Sequence, residues 1–505
     1  MDSGIVSYYR TRAVLRRIVE YLGVSPDISA KITVTGQECL AENVMLKQVL
    51  CRSTAEYIAA YGRELLQTTG KDHASFKVFS LGRVLDQGLD VHRSVWDRER
   101  MLFVLDMEYF SRNFPGEPFL NPARVFKLLE PVYRAILDIL ASYSIHPLCV
   151  VTGQGYNFVF TVSKDSSEFT RLVSLGSMEP TLGFDYQHPS PRRGRPVPDK
   201  DALAFDAAGK IMEFFSHRVF LLLNESGYQI PVMTGDVVPG NERREGVSFD
   251  LSLYTHPLHT RSFRCPFSVY SKHLLKGHIL GEHVIRQAGP LFCILRRVKE
   301  REVPLARVLK IRSDAAKSAQ QAARMQVTWE DQSQGLNLLM TDYESSPLYG
   351  FHKEYDSIVQ DECSRWLWGY NRFDLDSIPP CAAMALKNPN PMLLQPTHLR
   401  TIVRVLMAAG WHPKHIAGLI YSKYVCDFKW EVDFRRYDAN RWANVWVRNF
   451  AGMILCRVDS CEDMNCPAQQ KKGESWAGMD FCPSGECRFS LEHYRDLLSI
   501  QYSRV

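Results

Sequence analysis

The segment MLFVLDMEYF, residues 101–110, constrains what this chain can fold into more than any other stretch of similar length. Five apolar residues, Met101 to Leu105, run directly into Asp106, and Glu108 follows two positions later. A short apolar run of this kind reads as a buried strand. Side chains alternate across a strand, so Asp106 and Glu108 are expected on one face. An acid at that depth needs a compensating partner, because an isolated buried carboxylate is costly. Asp250, within the strand-like segment GVSFDLSLY, offers a third carboxylate. Acids converging from neighbouring strands can hold Mg²⁺ or Mn²⁺ ions that orient a triphosphate and stabilise its leaving group. By itself the D-x-E spacing is a weak signal, since acids at strand ends are more often solvated or ion-paired.

The rest of the chain divides around this strand. At 505 residues it is too long for one ordinary core, and two or three domains are expected. Residues 1–85 read as a small helical N-terminal unit, with helices over 5–23 and from about Gly36 to Leu66. Residues 86–345 alternate strand and helix: a helix from Pro122 to about Tyr143, the strand PLCVVTGQGYNFVFTV, a Pro/Gly/Arg-rich loop at 188–199 and a helix near Ala202–Leu223. Ser313 to about Met340 reads as helical and polar. Residues 346–505 read as a mostly helical, cysteine-bearing region. The fold class expected is therefore α/β in the broad sense (α+β), a mixed sheet with flanking helices plus a helical C-terminal domain. No apolar run reaches the roughly 18–20 residues a membrane span needs. No apolar signal core opens the chain, so a cytoplasmic location is expected.

Three segments in order resemble the motifs of the archaeo-eukaryotic primase superfamily. LDMEYF is similar to the first, two acids on a strand after an apolar run; TGQGYNFVF to the second; SFDLSLY to the third, a single aspartate. TRSFRCPFSVYSKH resembles the family segment in which an arginine and a lysine bracket a proline-containing turn. The resemblance covers roughly residues 90–290 and implies a DNA-template-dependent primase or primase-polymerase. Asp106, Glu108 and Asp250 would then be ligands for Mg²⁺ or Mn²⁺. Thr152, Gly153 and Gly155 would cradle the incoming nucleoside triphosphate, with Arg264, Lys272 and, more weakly, Arg93 neutralising phosphate. Where the family has a histidine, this chain has Asn157, a neutral donor that cannot carry the cation. That departure gives an alternative: a primase-like nucleic-acid-binding or regulatory subunit of a replication or defence complex that has lost turnover. Implied partners are single-stranded DNA template and a helicase or other replication protein, with nucleoid association.

The C-terminal region carries a second set of candidates. Residues 395–450 hold nine Lys/Arg against four Asp/Glu, interleaved with aromatics. Cations beside rings suit a nucleic-acid strand, which points to Arg400, Arg404, Lys414, His415, Tyr421 and Lys423; a solvated face over an aromatic core is the plain alternative. The chain has 13 cysteines, and with no signal core an odd number argues against a disulfide framework. PPC, a basic helix pair and spaced cysteines resemble the C-terminal domain of the primase large subunit. That resemblance implies a 4Fe–4S cluster held by Cys381, Cys466, Cys482 and Cys487. The competing set is Cys461, Cys466, Cys482 and Cys487 around zinc.

Overall fold

The computed structural model describes residues 3–34, 38–63, 65, 69–111, 113–188, 195–235, 237, 245–275, 280–389, 393–426, 438–473, 482 and 487–502. Its strands are β1 (Ile58–Tyr61), β2 (His73–Phe76), β3 (Asp90–Ser94), β4 (Arg100–Ser111), β5 (Leu148–Val151), β6 (Gly155–Ser163) and β7 (Val232–Thr234). They continue as β8 (Glu245–Asp250), β9 (Ser262–Arg264), β10 (Val269–Tyr270), β11 (Leu291–Phe292), β12 (Ile294–Val298) and β13 (Arg301–Glu302). A seven-stranded sheet has the order β13-β12-β5-β6-β4-β8-β7, and a four-stranded sheet the order β2-β1-β3-β9. All pairings in the large sheet are antiparallel except β7 with β8, so the sheet is mixed and the protein is α+β.

Strand β4 lies near the middle of the large sheet, and its burial explains its sequence. Met101 to Leu105 are buried on both faces; from Asp106 the pattern alternates, with Met107 and Tyr109 buried and Asp106, Glu108 and Phe110 half-buried. The strand thus leaves the fully covered core just where its acids begin, and the acids take the more open face. Gly155 permits the pairing there. A Cβ at that position would stand 1.8 Å from the Met107 carbonyl oxygen, so no other residue allows β6 to lie against β4 opposite Glu108.

Helices cover the sheet and build the C-terminal region. We label α1 (Ser3–Tyr9), α2 (Arg12–Tyr21), α3 (Pro122–Ser142), α4 (Asp199–Glu225), α5 (Pro347–Ser357), α6 (Pro380–Lys387), α7 (Pro396–Ala408), α8 (Pro413–Cys426), α9 (Ala439–Leu455), α10 (Cys466–Gly473) and α11 (Leu491–Tyr502). Asn121 caps α3 through the Arg124 amide, and Pro122 suits its first turn. In α4, Asp206, Lys210, Glu213 and His217 are all buried. Their spacing of three and four residues makes a polar stripe, and α9 and α5 supply its partners: Arg448 pairs with Glu213, and Asp356 lies 2.5 Å from Lys210.

Three expectations change. The helix read from about Gly36 to Leu66 is a short helix at Val44–Leu50 followed by strand β1, with parts of that range outside the described residues. Residues 1–85 are accordingly not a separate helical unit: β1 and β2 share a sheet with β3 and β9. The helical stretch read over Ser313–Met340 is two helices, Ala315–Arg324 and Ser333–Glu344, separated by an extended segment in which Asp331 bridges to Thr161. Among the described residues, no helix is long and apolar enough to cross a membrane.

Candidate active site and cysteine centre

Register brings the predicted acids together. Asp106 on β4 stands directly opposite Asn157 on β6 and opposite Asp250 on β8, so the three form one row across three strands. Glu108 heads a second row, between Gly155 and Ser248. Directly opposed residues have Cβ atoms about 4.5–5.5 Å apart and point to the same face. Asp106 is therefore crowded by charge. Burial, then Glu108, then Asp250 push its carboxyl well above the ordinary value, while Lys272 and Arg264 pull the other way. Its Oδ1 is buried with no hydrogen-bond partner. Asp250 Oδ1 accepts the Ser252 amide at 2.9 Å.

The cations stand beside the acids. Lys272 Nζ donates to both Glu108 oxygens, at 3.0 and 2.9 Å, and Gln154 Nε2 donates to Glu108 Oε2. Burial opposes the Lys272 charge, but Glu108 outweighs it and holds the ammonium well above its ordinary value. Arg264 lies over the Tyr270 ring at 4.5 Å, with Nε 3.4 Å from Asp90 Oδ2. Burial opposes its charge also, and Asp90, together with Tyr270, Cys293 and Glu108, more than offsets this. Across the glycine turn, Arg312 donates to the carbonyls of Thr152 and Gly153, at 3.3 and 2.8 Å. Burial lowers this guanidinium to about 10. Gly153 is packed on Tyr270, where a Cβ would come within 2.2 Å of the ring. Thr152 Oγ1, Ser248 Oγ and the Tyr270 hydroxyl are, like Asp106 Oδ1, buried without partners.

Among the described residues, no three His, Cys, Asp or Glu side chains are arranged to hold a metal ion. The chemistry of the acid row nevertheless suits a divalent cation: one carboxylate oxygen lacks a donor, and two further acids repel it. A cation between them would relieve both penalties.

Several predicted contacts are spent inside the protein. Arg93 is fully buried. It donates to Asp97 at 2.5 Å and to the Tyr21 carbonyl at 2.8 Å, and stacks 4.9 Å from Trp329, which leaves nothing for a nucleotide. Arg400 and Arg404 do share a helix face, but both point at Asp459 and Asp463: Arg400 at 2.9 and 3.1 Å, Arg404 at 2.5 and 2.9 Å. Lys414 is buried against Glu179 at 2.6 Å. These three are internal ion pairs, not a nucleic-acid surface. His415 is paired with the Tyr370 hydroxyl at 3.0 Å, Tyr421 packs edge-on to Trp366, and Lys423 is half-buried near the end of α8. Lys429, Arg435 and Arg436 lie outside the described residues.

The cysteines separate into two environments. Cys381 is buried, and its thiol is pushed up to about 12 by burial first, then by Cys482, Cys466 and Cys487. Those three thiols therefore lie within electrostatic reach of the fourth. Cys461 is elsewhere: burial raises it to about 11, followed by Asp459, and its other charged neighbours are Arg404, Arg400 and Asp463. The thiols nearest Cys381 in electrostatic terms are thus the other members of its own set, whereas those around Cys461 are carboxylates and arginines.

Compared with known proteins, the chain matches no family model, no curated protein and no solved structure. The geometry alone carries the functional reading. Asp90, Gln154, Ser248, Tyr270 and Arg312 border the site and were not singled out from sequence. Asp90 had a signal of its own, an acid opening the strand DVHRS. Ser248 could have been read from the alternation that places it on the face of Asp250.

Proposed function

We propose that this chain is a template-dependent nucleotidyltransferase of the primase or primase-polymerase type. The observation that carries the reading is the cross-strand row Asn157–Asp106–Asp250, with an unpartnered Asp106 oxygen inside it and Lys272 beside Glu108. The large mixed sheet would be the catalytic sheet of that superfamily. Asp106, Glu108 and Asp250 would hold Mg²⁺ or Mn²⁺. Such ions, when bound, favour deprotonation of the attacking 3′-hydroxyl and stabilise departing pyrophosphate. Arg264 and Lys272 would neutralise the triphosphate. Lys272 now neutralises Glu108, and a triphosphate would compete for the same ammonium. Cys381, Cys466, Cys482 and Cys487 would supply the four thiolates of an iron–sulfur cluster, with zinc as the alternative metal.

The test is nucleotide incorporation on primed and unprimed single-stranded DNA, with ribo- and deoxynucleotides and each divalent metal. Wild-type incorporation that disappears in Asp106→Ala supports the reading; equal activity in the variant refutes it. One observation favours a second reading, a primase-like nucleic-acid-binding subunit without turnover. Asn157 occupies the row beside Asp106, where the resemblance calls for an ionisable imidazole. An inactive wild type that gains activity in Asn157→His would establish that reading instead.

A further inference from the structure

The loop carrying Arg264 and Lys272 is held in an unfavourable shape. Phe267, between the two cations, has φ +63°. A bulky residue in the left-handed region costs roughly 1–3 kcal/mol unless its surroundings impose it. The surroundings here are α1. The Tyr8 hydroxyl donates to the Phe267 carbonyl at 3.0 Å. The Tyr9 hydroxyl accepts the Val269 amide at 2.9 Å, donates to the Leu89 carbonyl at 2.8 Å, and lies 3.2 Å from Ser268 Oγ. Both tyrosine rings are buried, so α1 is a strut against this loop and not an exposed docking helix.

On the other side of the loop stands Asp90, fully buried at the start of β3. Its carboxylate accepts from four donor groups, and His92 Nε2 stands near it without a hydrogen bond. Ser271 approaches through its amide at 3.2 Å and its hydroxyl at 3.3 Å; Arg264 Nε, Ser268 Oγ and His92 Nε2 each stand at 3.4 Å. These distances are individually long, and the set derives its strength from number and from the absence of competing water. Burial alone would raise the Asp90 carboxyl; His92 and Arg264 override it and hold the group below its ordinary value. The carboxylate contacts one proposed phosphate cation and the residue preceding the other.

We infer that Asp90 is the positioning residue of the phosphate cradle, fixing Arg264 directly and Lys272 through Ser271, with Tyr9 tying the same loop to the N-terminal helix. The inference rests on Arg264 and Lys272 being the triphosphate-binding cations. Asp90 touches no substrate itself. Its removal leaves both cations in the protein but lets them spread over more positions, so the loss falls on triphosphate binding.

The experiment is calorimetric titration of the full-length protein with Mn²⁺–ATP, alongside thermal midpoints, for wild type, Asp90→Asn and Tyr9→Phe. A Kd raised about tenfold in Asp90→Asn and about threefold in Tyr9→Phe, with midpoints within a few degrees of wild type, supports the inference. In the incorporation assay the same variants should raise KM while kcat at saturation stays near wild type. A folded Asp90→Asn protein with unchanged Kd overturns it. If that variant does not fold, an unchanged Kd in Tyr9→Phe overturns it equally. A wild type that binds Mn²⁺–ATP but incorporates nothing removes the polymerase reading, and the Kd comparison still decides the role of Asp90. A wild type that binds no Mn²⁺–ATP overturns both.

Discussion

At the scale of single residues, Asp106 carries a conflict that the fold has not resolved. A group whose folded pKa is raised contributes its stability below the unfolded value, near pH 4, and loses it as pH rises through the folded value. Asp106 therefore burdens the metal-free protein increasingly as pH rises above the ordinary carboxylate range. Asp106→Asn is expected to raise the thermal midpoint in chelator by a few degrees, corresponding to about 1–2 kcal/mol, while abolishing any incorporation. Differential scanning fluorimetry at pH 8 checks this, and a lowered midpoint would show that the carboxylate is a structural acceptor. The local part of this site was legible in the sequence: the Asp106–Glu108 spacing fixes a shared face without reference to any other strand. Asp250 and Asn157 become neighbours of Asp106 only through register, which depends on turns and packing far away in the chain. The same limit misled the reading of cations. A tally of Lys and Arg over 395–450 cannot see Asp459 and Asp463, which lie beyond the window and take up Arg400 and Arg404.

At the scale of elements, those arginines make α7 a clamp on the segment that follows α9. Burial on its own would push the Asp459 carboxyl up; Arg400 and Arg404 outweigh it and hold the group far below the carboxylate range. Removing one partner of such a buried set leaves a charge without compensation, so Arg404→Met is expected to cost about 3–5 kcal/mol in chemical denaturation. Arg400→Ala should leave single-stranded DNA affinity within about twofold, because the side chain is engaged internally and reaches no phosphate. A tenfold loss, with the protein folded, would return Arg400 to the binding surface. The cysteines divide by element in a comparable way. Cys381 on α6 feels Cys466 on α10 together with Cys482 and Cys487, whereas Cys461 feels the acids and arginines of the clamp. Metal analysis should find bound iron or zinc lost in Cys381→Ser and retained in Cys461→Ser; the reverse pattern would select the competing set. The long helices α3, with its Asn121 cap, and α4 were readable from pattern alone. The 36–66 stretch was not, since strand β1 is defined by its partners β2 and β3 and only four residues long.

At the scale of the whole molecule, the sheet-bearing part and the C-terminal helices are joined by buried charge. Arg448 of α9 pairs with Glu213 of α4, whose other oxygen is 3.1 Å from His352 Nε2 on α5. Nearby, Asp206 lies 3.0 Å from Lys210 and 3.6 Å from Arg441, while Thr234 on β7 donates to Asn449 at 2.7 Å. Buried polar joints of this kind favour one docking geometry over many, since a shifted arrangement would strand charges without partners. They also make the joint sensitive to acid. Burial acts to raise Glu213, but Arg448 and His352 more than offset it and lower the carboxyl to about 2. A depressed carboxyl contributes stability that is fully present above its unfolded pKa, about 4.3, and is lost as pH falls toward the folded value. Between roughly pH 4.5 and 2, then, the attachment of α9 to α4 should weaken progressively. Glu213→Gln abolishes this titration, so its stability, lower than wild type at pH 7, should fall less steeply over that range. Denaturant midpoints measured at pH 7, 4.5 and 3 for the two proteins would show the curves converging. Parallel curves would place the acid sensitivity of the joint in Asp206 and its partners, the second carboxylate that the same helix turns toward the C-terminal domain.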